Sequence, residues 1–207
     1  MKTLPAFLVV TLFSLASSIM SNSVSATEVE VSPYVVLEKT GQQLFSRIAA
    51  NQKELKAFPL TMRTIVEEEL MPSIDYKYAA YKILGKHLRK TTPEQRSKFV
   101  ESMRFYLVRT YATALKQYKN QQVIFETDKP TNGKRIVSVS TKIIDNNRPT
   151  INIEFKMRQN KKTKQWKAFD MVVEGISLLS SKQAELSRRI AKQGVDQVTI
   201  ELTALAK

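Results

Sequence analysis

Apolar residues recur at helical spacing over 33–118, alternate with polar ones over 121–174, and return to helical spacing over 181–205. The period of such a pattern reports the element, because side chains share a face every three to four residues on a helix and every second residue on a strand. Ser32-Pro33 places a capping residue before a proline suited to the first helical position. Val36, Leu37, Leu44, Phe45, Ile48 and Ala49 then form a core-facing stripe. Phe58-Pro59 breaks that helix, a second runs through Thr64 to Met71, and a third carries Ile74, Tyr78, Ile83 and Leu84 up to a stop at Gly85. Thr92-Pro93-Glu94-Gln95 is the clearest start signal, a cap with a capping-box glutamine, and predicts a helix to about Tyr118. Its apolar face is wide, with Phe99, Met103, Tyr106, Leu107, Tyr111 and Leu115, which suits burial on more than one side or the wall of a cavity.

Four strands follow. Val123 and Phe125 lie on the first, Ile136–Ile144 is the second, Ile151, Ile153, Phe155 and Met157 alternate on the third, and Trp166–Glu174 is the fourth. The clusters 129–133, 145–149 and 159–164 read as turns, so the strands should be antiparallel. Helices, then a meander, then two helices separated by Gly194 make an α+β domain: a curved antiparallel sheet of four strands or more, covered by helices. In the fourth strand Phe169, Met171 and Val173 alternate on one side and Trp166, Ala168 and Val172 on the other. A strand apolar on both sides needs two apolar partners. Gly175 interrupts the pattern as a bend, and Ile176, Leu178 and Leu179 carry apolar character onward.

The N-terminus changes the picture. Lys2 precedes a mostly apolar run from Leu4 to Met20, and Val24-Ser25-Ala26 offers a cleavage site, so residues 1–26 read as a secretory signal peptide cut between Ala26 and Thr27. Residues 27–207 are then a single exported domain. Thirty-three Lys and Arg against nineteen Asp and Glu give a net charge of +14, which favours anionic partners such as lipid headgroups; export argues against nucleic acid.

Catalytic chemistry is sparse. There is no Cys, and the single His87 reads as an exposed or half-exposed residue near a helix end. Five glycines form no phosphate loop. Glu67, Glu68 and Glu69 point around a helix and do not converge, so they read as a solvated face. Asp170 and Glu174 sit about 13 Å apart by strand rise, too far to cooperate, and read as partners for Lys or Arg. No metal or cofactor is expected. Apolar surface in excess over one sheet face, inside a basic exterior, instead suggests a pocket for an anionic amphiphile.

Three stretches carry a family resemblance: 64–85 (TIVEEELMPSIDYKYAAYKILG), 92–107 (TPEQRSKFVESMRFYL) and 169–186 (FDMVVEGISLLSSKQAEL). The chain resembles the MlaC or toluene-tolerance family of periplasmic phospholipid-binding proteins. The resemblance implies a fold like nuclear transport factor 2, a cavity that takes acyl chains, no enzymatic activity, and a monomer shuttling in the periplasm between an outer-membrane lipoprotein–porin complex and an inner-membrane ABC transporter. Motif match places lipid contacts at Tyr78, Ile83, Leu84, Phe169, Met171, Val173, Gly175, Ile176 and Leu178; the helix reading adds Tyr106 and Tyr111. Lys161, Lys162 and Lys164 offer either a docking surface for acidic partners or a solvated hairpin. Two alternatives remain: a small enzyme on the same cone-shaped fold with Asp170 as its carboxylate, and a ligand-free periplasmic adaptor.

Overall fold

Local capping signals set the helical half of the chain. The computed structural model describes residues 31–58 and 60–206; the predicted leader and its Ala26–Thr27 cleavage site lie outside them. Helix α1 spans Pro33–Ala50, with Ser32 Oγ accepting from the Val35 N–H. Short α2 (Gln52–Ala57) leads to α3 (Thr61–Ile65), which continues as a π turn over Val66–Leu70 and a 3₁₀ turn over Met71–Ser73. Helix α4 (Tyr76–Leu84) starts at Asp75, whose carboxylate accepts from the Tyr78 N–H at 3.1 Å, and stops at Gly85, φ +49°. A 3₁₀ segment, Gly85–Lys90, carries half-buried His87, with Nε2 3.0 Å from Ser187 Oγ. Helix α5 runs from Pro93 to Leu115 behind the expected capping box.

The Glu67–Glu69 run diverges as expected but is not simply solvated. Glu68 and Glu69 pair with Arg47 of α1 at 2.5 and 2.6 Å, and Glu67 pairs with Arg104 of α5. The π turn is thus tied to a helix on either side.

The sheet has five antiparallel strands in sequence order: β1 (Gln122–Phe125), β2 (Ile136–Asp145), β3 (Arg148–Gln159), β4 (Trp166–Val173) and β5 (Ile176–Ser177). The fifth, two residues long, was not foreseen. It exists because Glu174 and Gly175 both take positive φ, 47° and 80°, as a tight two-residue hairpin requires. Gly175 therefore turns a hairpin; it does not bend a wall into a closing helix.

A second correction concerns β4. Met157 lies opposite Ala168, but Lys156 lies opposite Asp170, so Phe169 is an extra residue in the strand, a β-bulge. Phe155 and Met157 share a face of β3, and their partners Met171 and Ala168 must share it too. Trp166 and Ala168 thus lie on the same face as Met171 and Val173, not opposite them. Apart from Val172, which faces the other way opposite Glu154, the two-sided apolar strand of the sequence reading is one face interrupted by a bulge.

Helix α6 begins at Leu178, earlier than the expected residue 181, and reaches Ala206 with a break at Gly194, φ +83°. The core has two parts. One joins α1, α3 and the sheet around Leu44, Ile65, Val139, Met157 and Trp166; the other joins α4, α5 and α6 around Leu84, Phe99, Met103, Leu186 and Val198. The cap of α5 gives a direct check on this local logic: Thr92→Ala should cost about 1 kcal/mol in urea unfolding, and an unchanged midpoint would show that the box contributes nothing.

Candidate functional site

Between the two cores the inner faces stand apart and leave a cavity of about 620 Å³. Leu37 and Leu44 of α1, Leu70 of the π turn, and Leu107 and Tyr111 of α5 line its helical side. Ile143, Ile151, Ile153 and Phe155 line its sheet side, and the residues between them point away. The clean alternation of β2 and β3 exists for this reason: the inward set faces the cavity and the outward set faces water.

Of the residues expected here, Ile83, Tyr106, Tyr111, Phe169, Met171 and Leu178 border the cavity. Five others do not. Tyr78 stands behind the wall, its ring edge-on to Phe169 at 5.1 Å and capped by the Arg158 guanidinium at 4.2 Å. Leu84 is fully buried in the second core. Val173 and Gly175 belong to the β4–β5 hairpin outside the cavity lining, and Ile176 is 61% exposed. Lys161, Lys162 and Lys164 sit exposed on the β3–β4 hairpin, away from the cavity, with no ion pair among the described residues. The sequence reading missed Leu37, Leu44, Val123, Phe125 and the β2–β3 face as lining. Their periodicity was correctly read, but periodicity marks an inward face without saying whether the inside is filled.

Asp170, 3% exposed in its side chain, has its oxygens engaged. Oδ1 accepts from the Leu179 N–H at 3.0 Å, Oδ2 accepts from Ser177 Oγ at 2.7 Å, and Lys156 Nζ lies 3.6 Å away. The carboxylate thus anchors the N-terminus of α6, where the helix dipole favours negative charge. Glu174, by contrast, accepts from the Asn152 N–H at 2.5 Å and has no cationic partner among the described residues. Tyr111 borders the cavity on one side but is otherwise enclosed; burial, and then the nearby Asp170 charge, push its phenol up to about 12. Thr141 Oγ1 is the only buried side-chain polar atom without a hydrogen bond among the described residues, and Thr141 faces the cavity, where it offers a ligand one polar contact.

Charge collects at two rims. At one, Lys182 Nζ sits 4.9 Å over the Tyr106 ring and 2.6 Å from Glu185. Burial pulls Lys182 down, but the hydrogen bonds to Glu185 and Tyr106 outweigh it and hold the amine above its ordinary value. At the other rim Arg148 stands beside Asp145, whose carboxyl is held low by the Asn147 N–H and by Gln121. No group of three metal-ligating side chains occurs among the described residues, and none of their helices is long and apolar enough to cross a membrane.

Two outcomes follow from this geometry. Asp170→Ala removes the helix anchor and should lower stability by about 1–3 kcal/mol in urea; wild-type stability would mean that the anchor is replaced by water. Tyr111 ionises near 12 when folded and near 10 when unfolded. Above pH 10 the unfolded chain therefore sheds that proton first, and folding stability falls from pH 10 toward 12. Tyr111→Phe should flatten this part of the stability–pH curve; an identical slope would refute the buried phenol.

The MlaC protein family model matches residues 38–204. The intermembrane phospholipid transport system binding protein MlaC of Haemophilus influenzae is 34% identical over 174 residues, covering 84% of this chain and 81% of that one. The toluene tolerance protein ttg2D of Pseudomonas putida is 29% identical over 147 residues, 70% of this chain and 67% of that one. A phospholipid-binding protein from Ralstonia solanacearum, solved in complex with a phospholipid, has a TM-score of 0.75 over 86% of this chain and 100% of that one. Its 20% identity makes it evidence for the fold alone. The family match and the Haemophilus relative both span most of the described residues, so the chain belongs to the MlaC family.

Proposed function

We propose that this protein is an exported carrier that holds a phospholipid by its acyl chains in the cavity. It receives and delivers that lipid in the periplasm, between an outer-membrane lipoprotein–porin complex and the lipid-receiving subunit of an inner-membrane ABC transporter. The observation that carries this reading is the size and apolar character of the space between sheet and helices. At 620 Å³ it falls within the range of about 300–1,000 Å³ typical of sites that enclose an organic ligand. Its lining, rich in Leu, Ile, Phe and Tyr side chains, offers water few hydrogen-bonding partners. Such a space suits an apolar occupant better than water.

The occupant's own energetics agree. Two acyl chains with roughly 30 methylenes, at about 0.8 kcal/mol each, lose on the order of 20 kcal/mol when exposed to water. A carrier that crosses an aqueous gap must therefore enclose the chains. The headgroup can stay at a rim, where Lys182 or Arg148 offers a positive charge to a phosphate. The names of the Haemophilus relative and of the Ralstonia neighbour both point to phospholipid. For the enzyme alternative, Asp170 would have to act as a base, yet its oxygens are bound to Ser177, Leu179 and Lys156.

Native mass spectrometry of protein secreted by its own signal should find one diacyl phospholipid per chain; consistently empty protein would refute the carrier. Removing the lipid should lower the melting temperature, since a ligand held only by the folded state stabilises it. Leu178→Trp narrows the cavity at its rim and should lower the bound lipid by about tenfold, the equivalent of about 1.4 kcal/mol. Ile176→Trp, two residues away but outside the lining, should keep the wild-type load. Equal losses from the two would show that the lipid does not enter at Leu178.

A further inference from the structure

Gly41 lies in the interior of α1, where glycine weakens a helix relative to alanine. What forbids alanine is space. A β-carbon at Gly41 would stand 2.3 Å from Cζ and 2.8 Å from Cε1 of Phe125. The far edge of that ring therefore rests on the backbone of α1. Phe125 projects from β1, a four-residue edge strand whose one sheet neighbour is β2. Both residues border the cavity. One turn further along α1, Phe45 packs on Tyr118 with ring centroids 4.5 Å apart. The first contact closes α1 against the free edge of the sheet, and the second closes α1 against the segment that joins α5 to β1. Strand β1 lies three strand spacings from β4, about 14 Å, so this wall stands across the cavity from Phe169 and the start of α6.

We propose that Phe125, seated on Gly41, is the acyl-chain ruler of the cavity: it forms an end wall and fixes the longest chain the site accepts. This rests on the carrier reading above and adds to it the residue pair that sets chain-length selectivity. The wall is suited to the task because it is local. The β2, β3 and β4 faces are each held by two neighbouring strands, and the helical walls are shared with the two cores. Phe125 is only partly buried, comes from an edge strand, and touches α1 through the tip of its ring; it packs on the margin of the first core and lies outside the second, so a change in its size is felt first at the cavity end.

A phenylalanine covers about 150–250 Å², and a methylene about 30 Å². Phe125→Ala should therefore admit longer chains, by at most about five to eight carbons. Gly41→Ala pushes the ring toward the cavity and should favour shorter chains. Combined with Phe125→Leu, whose shorter side chain clears the new β-carbon, it should return to the wild-type preference.

The test offers delipidated protein mixed vesicles of diacyl phosphatidylglycerol of graded acyl length and reads the bound species by native mass spectrometry. Total load and thermal unfolding are recorded for each variant. The expected result is about a tenfold rise in the long-to-short ratio for Phe125→Ala, a fall for Gly41→Ala, and recovery in the double variant. Folded, loaded variants that keep the wild-type chain distribution, or a loss of load uniform across all lengths, would overturn the ruler and make Phe125 an ordinary packing residue while leaving the carrier intact. Wild-type protein that takes up no lipid from these vesicles would overturn the carrier reading, and the ruler with it.

Discussion

One inserted residue in β4 governs how the two halves of the molecule meet. The bulge at Phe169 offsets the register, so that Ala168 keeps its place opposite Met157 while Asp170 falls opposite Lys156. On one side of the bulge the Ala168 carbonyl accepts from the Asp75 N–H at 2.7 Å, and Asp75, paired with Arg158 at 2.5 Å, caps α4. On the other side Asp170 holds the first turn of α6. Two of the three helices that carry the second core, α4 and α6, are therefore hung from three consecutive residues of one strand. The bulged side chain, Phe169, is left to line the space between the cores, with Tyr78 of α4 edge-on behind it. Bulges bend a strand and re-aim its side chains, and here Phe169 is aimed into the separation between two apolar layers.

That separation gives the cavity its chemistry. Its walls come from secondary structure already stabilised elsewhere: α1 and the sheet by the first core, α4, α5 and α6 by the second. The polar groups that sequence reasoning could take for catalytic are structural. Asp170 is a helix anchor, and Glu67, Glu68 and Glu69 pair with Arg47 and Arg104 across the π turn, joining α1 to α5. What faces a ligand is mostly apolar surface, with the unbonded hydroxyl of Thr141, the rings of Tyr106 and Tyr111, and two charged pairs, Lys182 with Glu185 and Arg148 beside Asp145. Such a lining suits a molecule that is mostly hydrocarbon with one charged end.

The legible parts of the fold were those decided locally. Ser32-Pro33 and Thr92-Pro93 start helices because their side chains bond within the next turn, and the alternation at Ile151, Ile153 and Phe155 marks an inward face whatever that face meets. The misread parts depend on distant partners. The extra residue at Phe169 is visible only against the register of β3, so the sequence pattern put Trp166 and Ala168 with Val172 when they share the face of Met171 and Val173. Strand β5 is too short for any period, and the Glu174-Gly175 turn that makes it carries one residue atypical of the left-handed region. Gly41 carried a usable signal, a glycine inside a strong helical stripe, which implies a close approach; nothing local named Phe125 as the group approaching. Six of the eleven expected contacts border the cavity, and the five that do not share its neighbourhood in sequence but lie on its outer side or in the adjoining core.

The central claim is that hydrocarbon fills the space between the two cores. It is tested most directly by binding a diacyl phospholipid that carries a photoreactive group at the end of one acyl chain and mapping the cross-links by peptide mass spectrometry. The account predicts adducts on cavity-facing residues such as Tyr111, Phe155 and Met171. Adducts confined to the exterior, on the Lys161–Lys164 hairpin or the exposed Ile176, with none inside, would contradict it.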